Sequence, residues 1–193
     1  MRLLVFGGSV FLGRAVVADG LARGWDVTTF SRRGTPIDGV ESLRGNRVDP
    51  GSLEQVSRRA WDVVVDTWWG PPETVRDSAR ALAERAQRYV YVSSGSVYVP
   101  PPRLGADETA PVVEGGGESY PAVKRGGELA VEETFGDRAL IARAGLILGP
   151  HENVGPPALV AAAHGPRRRG ARPRTGRTAA AGTSTRILEA WRA

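Results

Sequence analysis

A tyrosine and a lysine stand four residues apart in ESYPAVKRGGE, at Tyr120 and Lys124. On a helix that spacing puts both side chains on one face, and Pro121 suits the first turn, where a missing N–H costs nothing. A phenol beside an ammonium can act as an acid/base couple, but the same pair also fits an ordinary solvated helix face. Upstream, FGGSVFLGR places Gly7, Gly8, Ser9, Val10, Phe11, Leu12 and Gly13 between an apolar run and a helical pattern. Backbone N–H groups and a helix dipole converge there, as anion binding requires. Gly7 permits a tight turn and Gly13 a close approach of helix to sheet, while Val10 takes the middle position of G-x-x-G-x-x-G. A dinucleotide site and a plain structural turn both suit that pattern. Ser31, Arg32 and Arg33 follow the second apolar run. A carboxylate there would accept hydrogen bonds from a ribose; two cations suit a 2′-phosphate or a solvated basic loop. In YVYVSSGSVY, Ser93 and Ser94 close a buried run, where serine hydroxyls either face a site or bond neighbouring backbone.

Positioning these residues requires strands and helices in alternation. Arg2–Phe6, Trp25–Phe30, Trp61–Thr67, Arg88–Ser94 and Ala139–Leu148 read as strands, with a weaker signal at Val40–Leu43. Between them Phe11–Arg23, Ser52–Ala60, Glu73–Gln87 and Tyr120 to about Thr134 carry helical signals. Near-continuous apolar runs suit strands buried on both faces. The alternation predicts a doubly wound parallel α/β sheet that binds ligands beyond the carboxyl ends of its strands.

The order of glycine turn, strand-end serines, then Tyr120 and Lys124 some 26 residues beyond Ser94 strongly resembles the extended short-chain dehydrogenase/reductases, the NAD(P)-dependent epimerases, dehydratases and related reductases. The resemblance covers about residues 1 to 154, through RAGLILGPHE (Arg143–Glu152), and is strongest to variants with a GGTxFLG-like turn and an arginine after strand two. It implies that Tyr120 is the general acid/base and that the Lys124 ammonium lowers its pKa from near 10. It further implies that Lys124 holds the nicotinamide ribose and that Ser94 bonds the substrate oxygen while hydride passes to or from C4 of the ring. Residues 7–13, Ser31, Arg32, Arg33 and Lys124 would contact the dinucleotide, with NADP expected over NAD. Asn46 is also expected to contact the cofactor: it stands where the family more usually has an adenine-contacting aspartate, and an amide can still hydrogen-bond the ring. The expected activity is NADP-dependent hydride transfer on a hydroxyl or carbonyl substrate, with nucleotide sugars as candidates. Gly126 and Gly127 each cost about 1 kcal/mol relative to alanine inside a helix. Close packing against the sheet is the expected reason.

The chain has no cysteine and only two histidines, which rules out disulfides, thiolate metal sites and histidine-rich metal clusters. No stretch approaches the roughly 18 apolar residues of a membrane span, so a cytoplasmic protein with a small-molecule substrate is expected. Oligomeric state stays open, a homodimer being one option. Eight arginines against Glu152 and Glu189 place a charge of +6 in residues 151–193, leaving −1 on the first 150 of a chain with net charge +5. The body therefore carries no electrostatic footprint for nucleic acid. Residues 1–154 form the expected dinucleotide-binding domain. Residues 155–193, rich in Arg, Ala, Gly and Pro, are expected to be disordered and to replace most of the family's substrate-binding region. That stretch is a nucleic-acid arm, a tail without function, or an out-of-frame segment from Gly155 to about Thr185. The last is expected, because a shifted reading of Pro156 to Arg168 can encode a segment resembling the family's continuation. Turnover would then be impaired and apolar surface left at the carboxyl edge of the sheet. The rival reading is a non-catalytic NADP sensor whose basic tail binds nucleic acid. Sequencing the gene tests the frame: compensating single-base changes are expected, and an intact frame overturns that reading.

Overall fold

The computed structural model describes residues 1–99 and 105–152, so every expectation placed on residues 155–193 lies outside the described residues. Six strands, β1 (Arg2–Phe6), β2 (Asp26–Ser31), β3 (Glu41–Arg44), β4 (Trp61–Asp66), β5 (Ala86–Ser94) and β6 (Ala139–Ala144), form one sheet. Its order is β3-β2-β1-β4-β5-β6, and every neighbouring pair is parallel. Four helices connect them: α1 (Phe11–Ala22), the single turn α2 (Glu54–Ser57), α3 (Pro72–Leu82) and α4 (Tyr120–Phe135). The chain reverses its direction of travel across the sheet between β1 and β4, the place where doubly wound sheets open a ligand crevice.

Strand alternation explains the unbroken apolar runs. Leu3 and Val5, with Val27, Val63, Val65, Val90 and Val92, form one core with Val16 and Val17 of α1. Leu4 and Phe6, with Phe30, Val64, Tyr89 and Tyr91, form the other with Val75, Ala79 and Leu82 of α3 and Ala130, Val131 and Phe135 of α4.

Three differences from the sequence reading are more than a residue or two at an element's end. The helix expected to reach Gln87 ends at Leu82, because Ala86 is drawn into the ladder opposite Trp61 and the Arg85 carbonyl accepts from Trp61 N–H at 2.7 Å. β6 ends at Ala144 rather than Leu148, because Ala144 pairs with Ser94, the last residue of β5. The helix expected over Ser52–Ala60 is split into a 3₁₀ turn (Pro50–Leu53) and the short α2.

One polar cluster is built into the apolar core. The Asp66 carboxylate, fully buried at the end of β4, accepts from Arg47 Nη1 at 2.6 Å and Nη2 at 2.7 Å. It also accepts from the Tyr89 hydroxyl at 2.7 Å and Trp68 N–H at 2.9 Å. Burial alone would raise its pKa, but Arg47, Tyr89 and Trp68 outweigh burial and hold it below the usual carboxylate range. A depressed folded-state pKa contributes stability that is present above the unfolded value and lost as pH falls through the folded one. Arg47→Met, which strands a buried carboxylate, is expected to cost about 3–5 kcal/mol in urea unfolding at neutral pH. The gap to wild type is expected to narrow as acid protonates Asp66.

Candidate active site

In a parallel sheet all strands end at one edge, so the loops after β1, β2, β3, β4 and β5 gather there. The loop after β1 turns at Gly7 (φ 90°), where a Cβ would meet Thr67 Oγ1 at 2.7 Å. Thr67 in turn donates to the Phe6 carbonyl at 2.9 Å, joining the ends of β1 and β4. A Cβ at Gly13 would collide with the Gly7 carbonyl, and one at Gly8 with the Thr29 side chain. α1 therefore begins close against β1. Val10 is its extended N-cap, supplies no side-chain cap, and is followed by no acidic residue in the first turn. The first N–H groups of that turn have no intrahelical partner, an arrangement that suits an anion. Ser9 lies half-buried in the loop, and Phe11 carries a positive φ of 22° at the helix start.

Beyond β2, Ser31 Oγ accepts from Gly34 N–H at 3.1 Å and shapes a loop on which Arg32 and Arg33 are exposed. Neither arginine has a hydrogen bond or ion pair among the described residues. Asn46, beyond β3, is exposed; its N–H donates to Ser52 Oγ and its carbonyl accepts from Asp49 N–H. Ser94 ends β5 and caps a short 3₁₀ turn (Gly95–Val97), its Oγ accepting from Ser96 N–H at 3.2 Å and Ser96 Oγ at 2.9 Å. The Ser94 proton stays available for donation.

Helix α4 starts at a Ser119 cap that accepts from Ala122 N–H, with Pro121 in the first turn. Tyr120, Lys124 and Glu128 then follow at helical spacing and pass from surface to interior: Tyr120 is 51 % exposed, Lys124 3 % and Glu128 0 %. Lys124 Nζ donates to the Trp68 carbonyl at 2.7 Å and the Val92 carbonyl at 2.6 Å, 4.3 Å from the centre of the Tyr91 ring. One of its three protons is left over. Burial lowers its pKa to about 8, while the charges of Asp66 and Glu128 oppose the fall. The structure thus directs the ammonium to two backbone carbonyls, whereas the Tyr120 hydroxyl makes no hydrogen bond among the described residues.

The sequence reading places Lys124 at the site without its partners. The Trp68 and Val92 carbonyls carry no side-chain signature, since any residue supplies a carbonyl. Ser96, Glu128 and Arg143 are also missed. One signal is legible: among 26 cationic residues of the chain, Lys124 is the only lysine. Gly127 packs against the sheet as expected, since a Cβ there would meet Tyr91 Oη at 2.5 Å. Gly126 instead faces α3, where a Cβ would meet Pro72 at 3.0 Å.

A model of the NAD dependent epimerase/dehydratase family matches residues 3–165. The chain belongs to that family. No curated protein matches it. Among solved structures it is similar to the Bordetella bronchiseptica enzyme WbmG in complex with NAD, with TM-score 0.67, 20 % identity, and cover of 80 % of this chain and 56 % of that one. It is likewise similar to the Thermus thermophilus UDP-glucose 4-epimerase complex with NAD, with TM-score 0.66, 24 % identity, and cover of 84 % and 61 %. At such identity the likeness speaks for the fold, and the match spans only 56–61 % of those chains. In the segments that follow the strands, Val10, Val48, Trp69, Val99, Leu146 and Leu148 are exposed. No described helix is long and apolar enough to cross a membrane, and no metal-holding group of three or more His, Asp or Glu occurs among the described residues.

A single lysine makes its titration directly readable. In protein carrying ¹³Cε-lysine, the one side-chain resonance is expected to titrate near pH 8 rather than at the ordinary 10.5. A folded-state pKa below the unfolded one costs stability at low pH, and that cost lifts as pH rises from about 8 to 10.5. Gly127→Ala is expected to destabilise by about 1–3 kcal/mol in urea unfolding despite alanine's higher helix propensity, because Tyr91 must move.

Proposed function

We propose that this family member is a nicotinamide-dinucleotide-dependent epimerase or oxidoreductase acting at a hydroxyl or carbonyl carbon. The observation that carries the reading is that the chain's sole lysine lies buried one helical turn behind the half-exposed Tyr120. A compact ammonium there, held by two carbonyls, offers a remaining proton and a positive potential to whatever docks at the sheet edge. Tyr120 is the proposed acid/base. Ser94, with its oxygen already accepting from Ser96, donates to the substrate oxygen. Gly7, Gly13 and the first turn of α1 receive the pyrophosphate. When bound, the nicotinamide ring accepts or returns the hydride.

The choice of dinucleotide is the finer claim. Arg32 and Arg33 support a 2′-phosphate, hence NADP, while the similar solved structures were crystallised with NAD. A nucleotide sugar is the proposed substrate class, supported by the UDP-glucose epimerase among the similar folds. Slow or absent turnover belongs to the same proposal, because the Arg-, Ala-, Gly- and Pro-rich composition of residues 155–193 is unlike that of a substrate-binding region.

Calorimetric titration with NADPH and, separately, NADH tests the reading. Saturable binding is expected, with NADPH about ten-fold tighter and Arg32→Ala with Arg33→Ala erasing that difference. Tighter binding of NADH overturns the NADP claim alone. Absence of binding of either nucleotide to a chain that is folded by circular dichroism overturns the functional reading. Where turnover is measurable, Tyr120→Phe is expected to lower kcat at least 100-fold with little change in nucleotide affinity.

A further inference from the structure

Two residues that the chemistry above leaves unused lie beneath it. Ser93 and Arg143 are register partners on β5 and β6, and both side chains reach the same carboxylate, that of Glu128 on α4. Ser93 Oγ donates to Glu128 Oε1 at 2.5 Å. Arg143 Nε and Nη2 donate to Oε1 and Oε2 at 3.0 and 2.9 Å, and Arg125 Nη1 donates to Oε2 at 2.7 Å. Arg143 continues outward to the Tyr98 hydroxyl and the Glu108 carbonyl, in the segments that follow the Ser94 turn. A fully buried carboxylate thus binds three elements at one point, one residue from Ser94 and one helical turn from Lys124.

We infer that Glu128 is a positioning residue: its bonds to Ser93, Arg143 and Arg125 fix α4 against β5 and β6 so that Lys124 and Tyr120 meet the Ser94 turn. The inference rests on the proposed role of those three residues, but it concerns their placement. The side-chain geometry leaves no slack, since Gly127, beside Glu128, already lies against Tyr91. Sliding α4 along the sheet by a fraction of a turn would break the fork with Arg143 and the Ser93 bond together. Lys124 would then lose the Val92 carbonyl, which lies on the same strand as Ser93. Burial opposes the charge on Glu128, but Arg143, Ser93 and Arg125 outweigh it and hold the carboxyl below its ordinary range, so the anchor stays ionised at neutral pH. The groups facing Lys124 are Glu128 from its own helix, Tyr91 from β5 and Asp66 from β4, and Tyr120 acts in turn on Tyr91. Those facing Glu128 are Arg125 on α4, Tyr91 and Ser93 on β5 and Arg143 on β6; Glu132 shares Arg125 at 3.3 Å.

The test uses the full chain with ¹³Cε-lysine and compares wild type with Ser93→Ala, Glu128→Gln and, as a surface control, Glu133→Gln. Ser93→Ala leaves every charge in place, so a role of Glu128 as a mere source of field predicts an unmoved Lys124 resonance. Positioning predicts a displaced or split resonance in Ser93→Ala, and in Glu128→Gln also a Lys124 pKa lower by about half a unit or more. NADPH dissociation constants are expected to rise about ten-fold in both, while Glu133→Gln changes neither readout. A folded Ser93→Ala whose Lys124 resonance matches wild type overturns the inference, and it decides the matter even if Glu128→Gln does not fold. If wild type binds no nucleotide, the functional reading falls, and the resonance alone still upholds or overturns the positioning role.

Discussion

The Asp66 carboxylate fixes the end of the central strand on which the site is assembled. Four donors converge on it from the loop after β3, from β5 and from the backbone just beyond β4. One of those donors is Trp68 N–H, and the carbonyl of that same residue receives the Lys124 ammonium. Asp66 therefore acts on Lys124 twice: through its charge, and through the peptide it orients. An ion pair buried this deeply adds little net stability compared with an apolar replacement, but breaking it is costly, so it serves geometry more than strength. Arg47 is held to one placement by that carboxylate, by Ser78 and by the faces of Phe6 and Trp68.

Helix α4 is made to approach the sheet more closely than helix propensity would favour. Two adjacent glycines weaken the helix by roughly 1 kcal/mol each, and both occupy places where a methyl group would strike a neighbour. Close approach lets Lys124 reach carbonyls on two different segments and lets Glu128 sit fully buried in a ring of donors. The loss of helical propensity and the burial of two charges belong to the same arrangement. Lys124 and Glu128 are the charged face of a helix that has been turned inward.

How far this can be read from the sequence depends on whether an interaction leaves a local pattern. β1 and β4 are legible because strands covered on both faces show unbroken apolar runs, and α4 because Pro121 suits its first turn. The end of α3 is not, since alanine-rich sequence continues past the point where Ala86 joins the ladder. Among candidate site residues, the glycine turn, Ser94, Tyr120 and Lys124 are legible as types in order along the chain. The Arg47–Asp66 and Arg143–Glu128 pairs are not, because partners 19 and 15 residues apart have no shared period. Nor can sequence distinguish the tasks of the adjacent serines. Strand alternation sends Ser93 to the α4 side with Tyr91, while Ser94 leaves the strand as a cap.

The choice of lysine at position 124 follows from the same geometry. Everywhere else the chain meets its need for positive charge with arginine. A guanidinium is planar, carries five donors and stays charged, and it matches carboxylates such as Asp66 and Glu128 through paired bonds. The surroundings of Lys124 offer a different set of acceptors: two carbonyl oxygens from separate segments, beside an aromatic face. A fork could not satisfy both and would leave donors buried without partners. An ammonium can, and its proton affinity falls with burial to about 8 while two carboxylates keep it from falling further. Burial thus lowers the pKa of the ammonium, and Asp66 on β4 and Glu128 on α4 limit the fall.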